Sequence, residues 1–293
     1  MLPNYDQPLF RPPSEGNSLI FQVTLGCSWN ECSFCDMYTS KQFKPRKFED
    51  IKKEILQAAQ SFPNTEKVFL ADGDALVLSN NKLLPILELI RNNFPKLKRV
   101  TSYAMPKNIL NKSLEDLKTL KEAGLNMVYY GVESGDETVL KKIRKGATHD
   151  EIVQGILKAK QAGIKVSTTN LIGVGGKKYT KQHAQNTAKL LSKANPDFIS
   201  YLMVMFPLGE ERFLEAFGDD YVPLNQKELI EELKQTLTHL NVTGSVVRAN
   251  HASNYLPVKA NFPEDKDSVL KMIDGVLSGD EESLIRPEHM RGL

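Results

Sequence analysis

Cysteine occurs three times in this chain, at Cys27, Cys32 and Cys35, and nowhere else. The spacing is C-x4-C-x2-C, and an odd number of clustered thiols argues against a disulfide framework and for metal or redox chemistry. A zinc site would need a further ligand, yet the nearest histidine, His149, lies far along the sequence. Cys32 and Cys35 alone could form a dithiol redox pair at a helix start, which leaves Cys27 without a role. Inert core thiols would not be expected to gather in one loop while avoiding the rest of the chain. An iron–sulfur cluster fits best: thiolates normally ligate every iron of a cubane, so three of them leave one iron open to a small molecule.

The elements that must position this loop can be read around it. Ile20 to Leu25 is a short β-rich run ended by Gly26, which puts the cysteines in the loop after a strand, where parallel α/β barrels carry their chemistry. The stretch from Gly26 through Cys27, Cys32, Phe34 and Cys35 to Tyr38 resembles the cluster loop of the radical S-adenosylmethionine (radical SAM) superfamily, including the aromatic residue before the last cysteine. That family's usual spacing is C-x3-C-x2-C, and the extra residue here is a departure that some branches share.

Strand and helix signals then alternate. Phe48 opens an amphipathic stretch with Ile51, Ile55, Leu56 and Ala59 on one face; Leu83, Leu84, Leu87 and Ile90 mark a second helix; Ser113, three before Asp116, reads as a helix N-cap. Gly124 and Gly163 supply helix C-terminal turns. Strands are predicted near residues 23, 69, 101, 129, 168 and 201. Periodicity alone leaves a doubly wound sheet open; with the cysteine loop, the expectation is an α/β fold, a partial (β/α)6 TIM-like barrel over residues 18–205. An N-terminal extension (1–17) precedes it, and a C-terminal helical extension (206–293) wraps the core.

Three segments after predicted strands suit a nucleoside and an amino acid. In Asp72-Gly73-Asp74, glycine allows close backbone approach and a carboxylate can pair with an ammonium group, although an ordinary Asp-Gly turn has the same pattern. The resemblance implies that this segment, where the family has Gly-Gly-Glu, binds the methionine amino group of S-adenosylmethionine. Glu133-Ser134, within Gly-Val-Glu-Ser-Gly, puts a carboxylate beside a hydroxyl; a helix N-cap and a solvated carboxylate are the plainer alternatives. It is similar to the ribose segment of the branch that contains oxygen-independent coproporphyrinogen oxidase and the methylthiotransferases. Ile172-Gly173, in a Gly-rich turn, resembles the adenine-contact segment; it lacks the Gly-Lys-Ser/Thr of a phosphate loop. The resemblance also assigns Phe34 to the cofactor.

By that resemblance the chain is a substrate-unknown radical SAM enzyme. A 4Fe-4S cluster on the three cysteines cleaves S-adenosylmethionine reductively to methionine and a 5′-deoxyadenosyl radical that takes hydrogen from substrate. A reductant such as flavodoxin or ferredoxin supplies the electron. Tyr103, Tyr201, Met203, Arg248 and His251 are expected near the substrate. Arg248 and His251 could bind an acidic group or relay protons, or be ordinary loop residues. The alternative function is a non-catalytic iron–sulfur redox sensor or cluster carrier. The absence of further cysteines argues against an auxiliary cluster.

Composition sets the remaining bounds. With 293 residues, 41% of them hydrophobic, the chain can bury a large core, and a net charge of +2 gives no general attraction to nucleic acid. The basic run Lys141 to Lys145 reads as a solvated helix face, so a small-molecule substrate is expected over RNA. No apolar run approaches the roughly 18 residues that span a bilayer, and the amino terminus lacks a secretory pattern. No membrane association and a cytoplasmic location are expected.

Overall fold

The computed structural model describes residues 3–292; Met1, Leu2 and Leu293, at the ends of the expected extensions, lie outside the described residues. Its strands are β1 (Leu19–Gln22), β2 (Thr24–Leu25), β3 (Lys44–Pro45), β4 (Lys67–Ala71), β5 (Arg99–Ala104), β6 (Leu125–Glu133), β7 (Lys165–Ile172), β8 (Phe198–Met203), β9 (Ser245–Arg248) and β10 (Lys259–Phe262). The helices are α1 (Phe48–Ser61), α2 (Asn80–Asn93), α3 (Pro106–Leu110), α4 (Leu114–Glu122), α5 (Glu137–Lys142), α6 (His149–Gln161), α7 (Gly176–Ala194), α8 (Glu211–Phe217), α9 (Gln226–His239) and α10 (Lys266–Ser278). All but β2 and β3 form one sheet in the order β1-β4-β5-β6-β7-β8-β9-β10. The six expected strands are all present, in an α/β fold whose sheet is mostly parallel and open, like a partial TIM barrel. Two strands extend the expectation: β9 continues the parallel run beside β8, and β10 turns back antiparallel on β9.

The chain forms two compact units. The first comprises the chain up to Asn30, Cys35–Tyr130 and Gly155–Val166; the second comprises Glu31–Phe34, Gly131–Gln154 and the chain from Ser167 onward. In the first unit, β4 presents Val68, Phe69, Leu70 and Ala71, all buried, as a parallel strand covered on both faces requires. Helix α1 buries Ile51, Ile55 and Ala58 and α2 buries Leu83, Leu87 and Ile90, one stripe each at helical spacing. Each such Leu or Ile contributes about 1.5–3 kcal/mol relative to exposure. Ser113 caps α4 in a reciprocal capping box with Asp116. Gly124 and Gly163 have φ of 115° and 78°, a region costly for other residues.

In the second unit α7 packs against α9. Helix α9 buries Leu229, Ile230, Leu233 and Leu237 and, on the same stripe, the carboxylate of Glu232. A separate apolar cluster joins Val139, Ile143, Leu171, Val174, Phe213 and Phe217. The expectation of a solvated face on Lys141 to Lys145 holds for Lys141 and Arg144 only. Lys142 donates to the Phe217 carbonyl and pairs with Asp220, and Lys145 is buried against Glu133, because α5 ends against the unit rather than over solvent. No helix among the described residues is long and apolar enough to cross a membrane.

Candidate active site

The cysteine loop leaves the sheet after β1. It is closed at its base by the antiparallel pair β2–β3, in which Leu25 faces Lys44. Cys27, Cys32 and Cys35 are each half-buried. Among the described residues no three His, Cys, Asp or Glu side chains converge on a single metal ion. A cubane distributes its thiolates over separate irons and does not require that convergence.

In the first unit a buried carboxylate clamps both ends of this loop. Asp72, at the carboxyl end of β4, accepts from the Gly26 N–H (3.1 Å) and from Lys41 Nζ (2.9 Å) on one oxygen, and from Gln22 Nε2 (2.9 Å) on the other. Gly26 and Lys41 bracket the loop, so the Asp72 side chain is committed to holding it. Asp74 differs. Its Oδ2 accepts from the Ser28 hydroxyl, while Oδ1 is buried without a partner. Burial pushes its pKa up to about 6, against the opposing Ser28 hydrogen bond and Lys107 charge. Between the two, a Cβ on Gly73 would lie 2.6 Å from the Tyr38 ring and 3.2 Å from Cys27 Cβ, so only glycine lets this turn approach the loop.

Aromatic residues line the same region. Tyr38 is buried with its hydroxyl unpartnered, and burial pushes its phenol far up. Tyr103, on β5, packs edge-on against Phe69 (5.1 Å between centroids) and near Tyr129 (6.2 Å). Burial raises its phenol, and the nearby Cys35 adds to the shift, which puts Tyr103 within electrostatic reach of a cluster-loop thiol. Trp29, inside the loop, lies 4.3 Å below Lys107 Nζ.

In the second unit the middle of the loop is anchored independently. The Ser33 N–H donates to the Ile143 carbonyl (3.0 Å), and Phe34 packs on the apolar cluster of Val139, Ile143 and Phe213. Glu133 ends β6 with φ of 64°, an uncommon conformation for a non-glycine residue, of the kind that concentrates at functional sites. Its carboxylate is buried 3.1 Å from Lys145 Nζ; burial raises its pKa and Lys145 opposes that. A Cβ on Gly131 would lie 2.3 Å from Glu133 Oε1 and 2.7 Å from Lys145 Nζ, so the pair occupies space that glycine leaves. Ser134 Oγ lies 2.8 Å from Nδ1 of the buried His183 and accepts from the Asp136 N–H (3.0 Å). The cap of α5 is Asp136, so Ser134 is not a helix N-cap.

Gly173, after β7, has φ of 86°, and its N–H donates to Glu232 Oε1 (2.6 Å). Glu232, His183, Lys145 and Lys41 carry no spacing signature, whereas Gly131 opens the Gly-Val-Glu-Ser-Gly segment. The one sequence signal for Glu232 is a carboxylate on the apolar stripe of α9. Of the substrate candidates in this unit, Tyr201 and Met203 are buried on β8, and the Tyr201 hydroxyl has no partner. Arg248 is in register with Ser200 and lies over the Phe198 ring (5.9 Å), on the face of the sheet opposite Tyr201. His251 is held by Ser253, and its pKa is lowered by burial and the Arg286 charge.

Residues 21–191 match the Radical SAM superfamily, and the chain belongs to that superfamily. The heme chaperone HemW of Bacillus subtilis (strain 168) is 24% identical over 204 residues, which cover 67% of this chain and 53% of HemW. The 4'-phospho-dehydrooxetanocin synthase of Priestia megaterium is 25% identical over 237 residues, 74% of this chain and 30% of that protein. The chain thus spans about half or less of the length of these relatives. Among solved structures, coproporphyrinogen III oxidase (HemN) from Escherichia coli, itself a radical SAM enzyme, superposes with a TM-score of 0.56 at 16% identity, over 75% of this chain and 51% of that one. That similarity concerns the fold.

Proposed function

We propose that this chain is a radical SAM enzyme in which the thiolates of Cys27, Cys32 and Cys35 hold a 4Fe-4S cluster and S-adenosylmethionine takes the open iron. When bound, the two supply one-electron cleavage to methionine and a 5′-deoxyadenosyl radical that takes hydrogen from a substrate. The observation that carries the reading is the set of three half-buried cysteines in one loop, with Cys27 beside the Gly73 turn that holds Asp74.

The residues present fit both groups. The unpartnered Asp74 Oδ1 is a buried acceptor for the cofactor's ammonium group, and Asp72 serves the loop instead. Glu133 and Ser134 take the ribose hydroxyls, and Ile172 and Gly173 lie against the adenine. Phe34 closes the apolar side. Tyr103, within electrostatic reach of Cys35, is a candidate substrate residue, and Arg248 and His251 are candidates for an acidic substrate group. The substrate is a small molecule, the reductant a flavodoxin or ferredoxin, and the location cytoplasmic. Residues 18–205 are proposed as the catalytic core, with 1–17 and 206–293 as extensions.

Anaerobic reconstitution with iron and sulfide tests the ligand set. Wild-type protein is expected to retain about four irons per chain with the charge-transfer absorption of a cluster. Cys32→Ala is expected to lose both while keeping its circular dichroism. Equal iron retention by the variant would refute the assignment of Cys32.

A further inference from the structure

We propose that Glu232, on α9 of the C-terminal third, is a positioning residue that sets the Gly173 turn for the adenine of the cofactor and, with His183, couples that turn to Ser134. The inference rests on the reading of Glu133-Ser134 and Ile172-Gly173 as cofactor contacts, and it gives the residues beyond 205 a part in the site.

Helix α9 meets the turn twice, from residues one helical turn apart on the same face. Glu232 Oε1 accepts from the Gly173 N–H at 2.6 Å, and Leu229 Cδ2 fills the place a Cβ on Gly173 would take, 2.5 Å away. The second Glu232 oxygen accepts from Thr180 Oγ1 at 2.5 Å. Gly173 follows the last residue of β7 and is buried, so its N–H would lack a partner if Glu232 were absent. A fully buried carboxylate in an apolar helix stripe is costly unless it accepts hydrogen bonds, and this one is used on the turn.

His183 joins the two segments. Its Nε2 is 2.8 Å from the Leu171 carbonyl and 3.6 Å from Glu232 Oε1, and its Nδ1 is 2.8 Å from Ser134 Oγ. In a neutral ring the carbonyl requires the proton on Nε2, so Nδ1 accepts and Ser134 donates. Ser134 Oγ also accepts from the Asp136 N–H, so toward a ligand it offers an acceptor. A ribose hydroxyl must therefore donate to Ser134. One buried chain, Ser134–His183–Leu171 with Glu232–Gly173 alongside, fixes both segments.

The test compares Glu232→Gln, Glu232→Ala and Thr180→Val in cluster-loaded protein. Anaerobic equilibrium binding of S-adenosylmethionine and of S-adenosylhomocysteine is measured together with hydrogen exchange at the Gly173 amide without ligand. Glutamine keeps the acceptor and is expected to bind within about threefold of wild type. Alanine orphans the Gly173 N–H and is expected to lose about tenfold for both ligands, with faster Gly173 exchange and unchanged iron content. Thr180→Val, which leaves the turn's own hydrogen bond in place, keeps the test available if the alanine variant does not fold, with a loss expected between the other two. Folded Glu232→Ala or Thr180→Val binding like wild type, or glutamine failing to rescue, would overturn the inference alone. Wild-type protein that binds neither ligand would overturn the cofactor reading and this inference together.

Discussion

At the scale of single residues, the two aspartates flanking Gly73 show how neighbouring carboxylates take different tasks. Asp72 is saturated by Gly26, Gln22 and Lys41, whereas Asp74 keeps an oxygen without a partner and a pKa raised to about 6. A raised folded-state pKa means that the folded protein binds the proton more tightly than the unfolded chain between about pH 4 and pH 6. Stability therefore falls as pH rises through that window and is flat above it. The shift corresponds to roughly 3 kcal/mol at most. Asp74→Asn is expected to melt higher than wild type at pH 8, with the gain shrinking toward pH 4, and to bind S-adenosylmethionine more weakly. Thermal melts across that range check the first part and equilibrium binding the second; a gain independent of pH would contradict the assignment. The sequence pointed to this segment but could not divide the roles, because the division depends on Lys41, distant in sequence and brought to Asp72 only by the fold.

At the scale of elements, the clamp on the cysteine loop and the close glycine contacts make their own predictions. Lys41 is buried against Asp72, and removing one partner of a buried pair costs about 3–5 kcal/mol. Lys41→Met is expected to lower the melting temperature and to release iron faster under a chelator; unchanged iron release would show that the clamp does not hold the loop. At Gly131, alanine would press on Glu133 and Lys145. Gly131→Ala is expected to cost about 1–3 kcal/mol, measured by denaturant unfolding, and to weaken cofactor binding at the ribose end. The alternation of strands and helices was legible because parallel strands buried on both faces read as short apolar runs and helices as apolar stripes. Strand β10 was missed: Lys259–Phe262 alternates exposed and buried positions over only a few residues, and its antiparallel return breaks the strand–helix rhythm. Lys145 was read as solvated because sequence shows a run of charge and does not show where a helix ends.

At the scale of the whole molecule, the C-terminal third belongs to the packing of the core. Strand β9 pairs with β8 from Phe198 to Ser200, and α9 supplies Leu229 and Glu232 to the Gly173 turn. A chain ending at residue 205 is expected to be insoluble or partly unfolded by circular dichroism, and a soluble, cooperatively melting fragment would show the core to be self-sufficient. The superfamily was legible from the cysteine spacing and from Glu133-Ser134. The substrate was not, since its candidates, Tyr103, Tyr201, Arg248 and His251, are single residues with no spacing pattern. The central claim is that the chain cleaves S-adenosylmethionine reductively, and its most direct test is anaerobic. Reconstituted protein is incubated with a strong reductant and S-adenosylmethionine, and 5′-deoxyadenosine is separated by chromatography, with Cys32→Ala alongside. The account predicts 5′-deoxyadenosine from the wild type alone. A loaded cluster that neither forms this product nor binds S-adenosylmethionine would contradict it and favour a sensor or carrier of the cluster.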